Sequence, residues 1–268
     1  MKITDENFWL TNQSNKFNQF ALAIPSEKIA YTMAYYFLQP YNKTILDFGC
    51  FQGISSNNIL QLGAKKVLGV DQNKEHIGVA KEKFRDETKL EFMYVPVNEK
   101  ISLQENVDAV AMTFVHPTIQ SYHTLKDSIK KISESVRKGG DLVLLGLHPD
   151  AVQDAYRQEF VYYDLQLLGT KYQDEAKFHN TLKLPSGEKL EFDDICWTTK
   201  TLVDTINSAD FKVLHSGSIL DKNIIELYGK QAEKTFYDIK DHVDKETKTI
   251  WGNEWDAPLY QIILAKKL

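Results

Sequence analysis

Several absences narrow what this chain can be. Only two cysteines, Cys50 and Cys196, occur in 268 residues, and no zinc-type spacing links them. Two free thiols in a reduced, cytoplasmic protein are therefore expected, with no metal centre. No apolar run approaches the roughly 18 residues a membrane helix needs. The longest, LVLLGL at Leu142 to Leu147, has the length of a buried strand. The first fifteen residues, MKITDENFWLTNQSN, are polar from the fourth onward and do not read as a secretory signal. Excess basic charge is missing too: the net charge is −5, which argues against nucleic acid or an anionic membrane as partner. Repeats and low-complexity stretches are absent. What the chain does have is 43% hydrophobic residues, enough to bury a substantial core.

The pattern along the chain alternates. A helix is expected from Ser26, with Ser26 as its N-cap and Ile29, Met33 and Phe37 on one face. KTILDFG then reads as a strand, SSNNILQLG as a helix closed by Gly63, and KKVLGVDQN as a second strand. A helix with Ile77, Ala80 and Phe84 on one side follows, then strands at KLEFMYVPV and NVDAVAMTFVH. Leu125, Ile129, Ile132 and Val136 form a helical stripe predicted to stop at Gly139 and Gly140, before the strand GDLVLLGLHP. Strand and helix in this regular succession predict a doubly wound, mostly parallel sheet with helices on both faces. After Pro149 the rhythm breaks. NTLKLPSGEKLEF reads as a hairpin about Pro185, Ser186 and Gly187, and a helix capped by Thr198 or Thr199 follows. FKVLHSG and PLYQIILAKK are the last strands, separated by a long polar stretch that holds another helix.

In an open parallel sheet, ligands sit beyond the carboxyl ends of the strands. The first two strands end in Asp47 and Asp71, so the stretch ILDFGCFQGISSNNIL demands scrutiny. A dinucleotide loop needs G-x-G-x-x-G, and here only Gly49 and Gly53 are present, with Phe51 between them. Asp47 would repel a pyrophosphate at the loop mouth but suits a cation. Asp71, 18 residues beyond Gly53, is placed to accept hydrogen bonds from ribose hydroxyls. Together they suggest a positively charged nucleoside.

On these residues the chain resembles the class I S-adenosylmethionine-dependent methyltransferases. LDFGCFQG stands for the family's D-x-G-x-G-x-G loop, VLGVDQN for its second acidic motif and VDAVAMTFVH for its fourth-strand motif. ISESVRKGGDLVLLG is similar to its L-K-P-G-G region, and PLYQIILAKK to its antiparallel seventh strand. The resemblance implies a Rossmann-like, seven-stranded sheet and S-adenosylmethionine as cofactor, with S-adenosylhomocysteine as product. It implies that Asp47, Gly49 and Gly53 line the methionine end of the cofactor, with Phe51 in the same loop. Asp71 would bind the ribose diol, and Gln72 would lie beside the adenosine. Asn98 is the nearest candidate for the adenine amino group, and Met112, Thr113 and Phe114 would flank the cofactor from the fourth strand. It also implies a lid segment over 1–25, then one domain over 26–268 with a cap insertion at about 150–195 and a second insertion at about 220–257.

Methyl transfer from a sulfonium is an in-line displacement, so a base is needed only where the acceptor must lose a proton. His116, after the fourth strand, is the catalytic candidate, and His148, after the fifth, is a weaker one. Phe8, Trp9, Phe17 and Phe20, with Tyr156, Phe160, Tyr162 and Tyr163 in the insert, suggest an apolar or aromatic small-molecule acceptor. Two other readings stay open: a non-catalytic cofactor-binding or partner subunit, and a nicotinamide-dependent oxidoreductase.

Overall fold

A computed structural model describes residues 23–152, 160–184, 186–219, 222–247 and 259–268. Phe8, Trp9, Phe17, Phe20, Tyr156 and Pro185 lie outside the described residues. Helix α1 (Pro25–Leu38) precedes β1 (Thr44–Phe48), α2 (Ile54–Gln61), β2 (Lys66–Asp71), α3 (Lys74–Lys83), β3 (Leu90–Tyr94) and β4 (Val107–Thr113). Then come α4 (Tyr122–Ser135), β5 (Val136–Leu147), β6 (Tyr163–Leu167), β7 (Lys177–Lys183) and β8 (Lys189–Ile195). The chain continues through α5 (Thr199–Ser208), β9 (Phe211–Ser218), α6 (Lys222–Tyr228), α7 (Lys230–Thr247) and β10 (Tyr260–Lys267).

Seven strands form a mostly parallel sheet in the order β3-β2-β1-β4-β5-β10-β9, with an antiparallel strand near the C-terminus. This is the Rossmann-like arrangement the alternation predicts. Strands β1, β2, β3 and β4 pair in parallel, which sets Asp47 opposite Gly69 and Asp71 opposite Tyr94. The strands read as continuous apolar runs because both faces are covered: Ile45, Leu46, Val67, Val70, Val110 and Ala111 are all buried. Burial of Leu125, Ile129 and Ile132 fixes α4, each contributing roughly 1.5–3 kcal/mol. That helix starts at Ser121, whose hydroxyl accepts the Thr124 N–H at 3.3 Å.

Local details depart from expectation in two places. Helix α4 ends at Ser135, and Val136 is already extended (φ −98°, ψ 139°), so strand β5 begins before the glycines. Val136 fits an apolar stripe in either state, which hid the junction. Ser26 is not the cap of α1: the helix begins at Pro25, whose fixed φ suits a first helical position.

The chain divides into two compact units. One, Ala34–Leu144, Leu202–Leu214 and Ile263–Leu268, holds both loop acids. The other, Met1–Met33, Leu145–Thr201 and His215–Ile262, contains a three-stranded antiparallel sheet, β6-β7-β8, whose β7–β8 hairpin is the predicted one. In this second unit a row of hydroxyls runs into a carboxyl. Ser26 Oγ lies 2.8 Å from Tyr260 Oη, which donates at 3.4 Å to Tyr163 Oη, which donates to Glu27 Oε1. Glu27 is 1% exposed, and its other oxygen has no hydrogen-bond partner among the described residues. Burial pushes the Glu27 pKa up to about 7, against the lowering effect of the Tyr163 hydroxyl. Among the described residues no helix is long and apolar enough to cross a membrane.

Candidate functional site

Everything expected of the cofactor site, and His116 with it, falls in the unit that begins at Ala34. The loop after β1 turns through three left-handed residues: Gly49 (φ 76°), Phe51 (φ 53°) and Gly53 (φ 80°). Its first N–H groups stay on the sheet, since Gly49 and Cys50 both donate to the Val70 carbonyl, at 2.8 and 3.0 Å. Besides their backbone form, the two glycines have no room for a side chain. A Cβ at Gly49 would stand 2.3 Å from Val115 Cγ2, and one at Gly53 2.6 Å from Phe92 Cζ. Phe51 takes the left-handed form without the freedom of glycine, at a cost on the order of 1–3 kcal/mol. Cys50, in the same turn, is buried, and burial lifts its thiol pKa far above the ordinary range, so it stays protonated.

Asp47 is 1% exposed. Its Oδ2 accepts the hydroxyls of Ser55 and Ser56, at 2.5 and 2.7 Å, from the first turn of α2. Burial raises its pKa to about 6; the two serines oppose the rise and the Asp71 charge adds to it. These serines were not legible as site residues, because only the seated helix brings positions eight and nine residues on back to the carboxylate. Asp71 closes β2 and is better reached by solvent, at 12% side-chain exposure. Its Oδ2 accepts the Phe51 N–H at 3.0 Å and its Oδ1 the Asn73 N–H at 2.8 Å. The turn after β2 is set by Asn73, whose side-chain oxygen caps α3 by accepting the Glu75 N–H at 2.9 Å.

Of the remaining candidates, Gln72 is exposed beside Asp71, and Asn98 is exposed in the turn after β3. Thr113 is the last residue of β4 and is buried, as is Met112. Phe114 follows in a left-handed turn (φ 55°) that leads to His116. His116 is 3% exposed, and its Nδ1 has no hydrogen-bond partner among the described residues. Burial pushes its pKa down to about 3, so the ring is neutral throughout the physiological range. A base serving at neutral pH needs a pKa near that pH; His116 does not titrate there. Replacing His116 with Gln should therefore leave the shape of any activity profile between pH 6 and 8 unchanged. A profile limb near pH 6.5 that vanishes in the variant would show the opposite. His148 belongs to the other unit and serves a turn: its Nδ1 accepts the Asp150 N–H at 3.1 Å.

The chain is similar to known proteins in both sequence and fold. Residues 45–140 match the family described as "Methyltransferase domain". A ribosomal protein L11 methyltransferase from Shewanella frigidimarina is 34% identical over 125 residues, covering 45% of this chain and 40% of that one. Another, from Shewanella sp. strain ANA-3, is 33% identical over 124 residues, 44% of this chain and 40% of that one. The chain thus spans about two fifths of the length of these curated relatives. In structure, an S-adenosylmethionine-dependent methyltransferase from Clostridium acetobutylicum superposes with a TM-score of 0.62 at 14% identity, covering 96% of this chain and 99% of that one. S-adenosylmethionine-bound CalS10, an amino pentose methyltransferase from Micromonospora echinaspora, gives 0.58 at 12% identity, covering 97% and 98%. At such low identity these structures establish the fold alone.

The expectation of a small-molecule partner is corrected by the curated relatives, which are named for a protein substrate. Packing supplies the physical reason that it misled. Phe160, Tyr162 and Tyr163 are 5%, 6% and 2% exposed, so these aromatics are interior of the second unit. Residues 45–140 are thus similar to a methyltransferase domain, in a chain whose Rossmann-like fold is that of solved S-adenosylmethionine-dependent methyltransferases.

Proposed function

We infer that this protein transfers a methyl group from S-adenosylmethionine, and that the acceptor is a protein. One observation carries the cofactor reading: Asp47 and Asp71 close two adjacent parallel strands around a loop with three left-handed residues. The donor set fits the ligand. Each Asp71 oxygen accepts one backbone N–H, and a carboxylate oxygen has a further lone pair for a hydroxyl. Asp47 places negative charge behind the loop, where sulfonium and ammonium groups are favoured, whereas a pyrophosphate would be repelled. That contrast also speaks against the nicotinamide alternative.

When bound, S-adenosylmethionine supplies a methyl group already activated on a sulfonium. The chain's own task is to bind, align and exclude water. In this reading Asp71 holds the ribose diol, the turn from Gly49 to Gly53 brings backbone close to the methionine end, and Thr113 borders the cofactor from β4. No proton-accepting role falls to His116, and an acceptor nitrogen that arrives uncharged needs none. The protein acceptor is supported by the names of the curated relatives.

Calorimetry with S-adenosylhomocysteine tests the cofactor. Saturable binding is expected, and its absence in demonstrably folded protein would end the assignment. Asp71→Ala should weaken binding by about 1–3 kcal/mol, the cost of losing a buried acceptor. Unchanged affinity would place the ribose elsewhere. For the acceptor, methyl label from S-adenosylmethionine should appear in the protein fraction of a cell extract; label confined to small molecules would overturn that part.

A further inference from the structure

Phe51 stands where the resembled loop has glycine, in a backbone form that favours glycine. Its surroundings explain how it is held there. The Phe51 N–H donates to Asp71 Oδ2 at 3.0 Å. Its ring centroid lies 4.0 Å from that of His76, with the planes inclined at 57°. His76, in the first turn of α3, is 3% exposed. Its Nε2 is 3.2 Å from the Asn73 side-chain nitrogen, and its Nδ1 is 3.6 Å from Asp71 Oδ1. Asn73 completes the circuit through its own N–H to that same Asp71 oxygen, at 2.8 Å. Loop, carboxylate, cap and imidazole thus form one closed set of contacts around Asp71.

We propose that His76 is a positioning residue for nucleoside binding: it seats the Phe51 ring against α3 and thereby keeps the left-handed loop and the Asp71 carboxylate in the arrangement a vicinal diol requires. The ligand class follows from Asp71, a carboxylate whose remaining lone pairs suit two adjacent hydroxyls. The inference rests on the reading of Asp71 as the ribose contact. A purely structural His76 would support α3 regardless of which residue occupies position 51. A positioning His76 matters only while position 51 carries a ring.

That difference can be measured with S-adenosylhomocysteine titrated into wild type, His76→Ala, His76→Phe, Phe51→Gly and the double variant Phe51→Gly/His76→Ala. His76→Ala should weaken binding about tenfold or more, as for coupled neighbours in one network. His76→Phe, which retains a ring partner, should stay within about threefold of wild type, and so should His76→Ala when introduced into Phe51→Gly. Wild-type affinity in His76→Ala would overturn the proposal. So would an equal loss from His76→Ala in both backgrounds, since the histidine would then act independently of Phe51. Should His76→Ala fail to fold, His76→Phe and the double variant still decide the matter: a tenfold loss in either overturns it. Failure of wild type itself to bind would overturn the cofactor reading and this inference together, whereas wild-type binding with an indifferent His76 removes only the latter.

Discussion

Between pH 4.5 and pH 8, the stability gained by replacing Glu27 with glutamine should grow by about 3 kcal/mol, since each unit of pKa shift is worth about 1.4 kcal/mol. Glu27 is fully buried, and burial lifts its pKa from an ordinary 4.5 to about 7. Among the described residues no cation contributes to that shift; the Tyr163 hydroxyl is the opposing influence. The folded state therefore holds the Glu27 proton more tightly than the unfolded chain does. Stability from this group is complete below pH 4.5 and is lost as the pH climbs through 7, the reverse of a salt-bridged carboxylate. Glutamine keeps the shape and an acceptor for Tyr163, and it never ionises. Chemical denaturation of both proteins at several pH values provides the measurement. A difference that does not change with pH would show that Glu27 has an ordinary pKa.

The second large effect is expected on binding. Asp47→Asn should weaken S-adenosylmethionine by about 1.5–3 kcal/mol, the range for interactions with a charged group. The acid sits within the protein with a pKa near 6, held there chiefly by burial. An apo protein at neutral pH thus carries an ionised carboxylate in a dry place, and a cationic ligand would offset that cost. Wild-type affinity should consequently fall as the pH drops through 6, approaching about tenfold per unit once Asp47 is protonated. The asparagine variant should be flat across the same range. Calorimetric titration at pH 5, 6, 7 and 8 separates the cases. Parallel curves for the two proteins would mean that the Asp47 charge plays no part in binding.

Fold and site were unequally legible. Strands β1, β2 and β4 are continuous apolar runs, each followed by a helical stripe, and such local periodicity survives into the structure. Strand β6 was missed because Tyr163, Asp164, Leu165, Gln166 and Leu167 form a short alternating stretch that needs β7 beside it to be a strand. Within the candidate site, Asp47 and Asp71 are legible as acids at the ends of the first two strands. Their partners are not: Ser55 and Ser56 meet Asp47 only because α2 turns back over its strand, and His76 meets Phe51 across 25 positions. Glu27 is an acid in the first turn of α1, and nothing in the local sequence marks it as buried. Its hydrogen-bond donor, Tyr163, is 136 positions away.

The Phe92 ring, which occupies the place of the missing side chain at Gly53, also constrains how this loop can be inherited. The two positions share a single volume, so their tolerance to mutation is joint and not separate. A lineage that first enlarged residue 53 would meet the ring at 2.6 Å and lose the turn. One that first trimmed residue 92 would open space in which a small side chain at 53 meets the tight but adjustable approach of Ala80 Cβ, at 3.1 Å, and the backbone penalty of its left-handed form. The order of the two changes, and not their sum, decides whether the path is open.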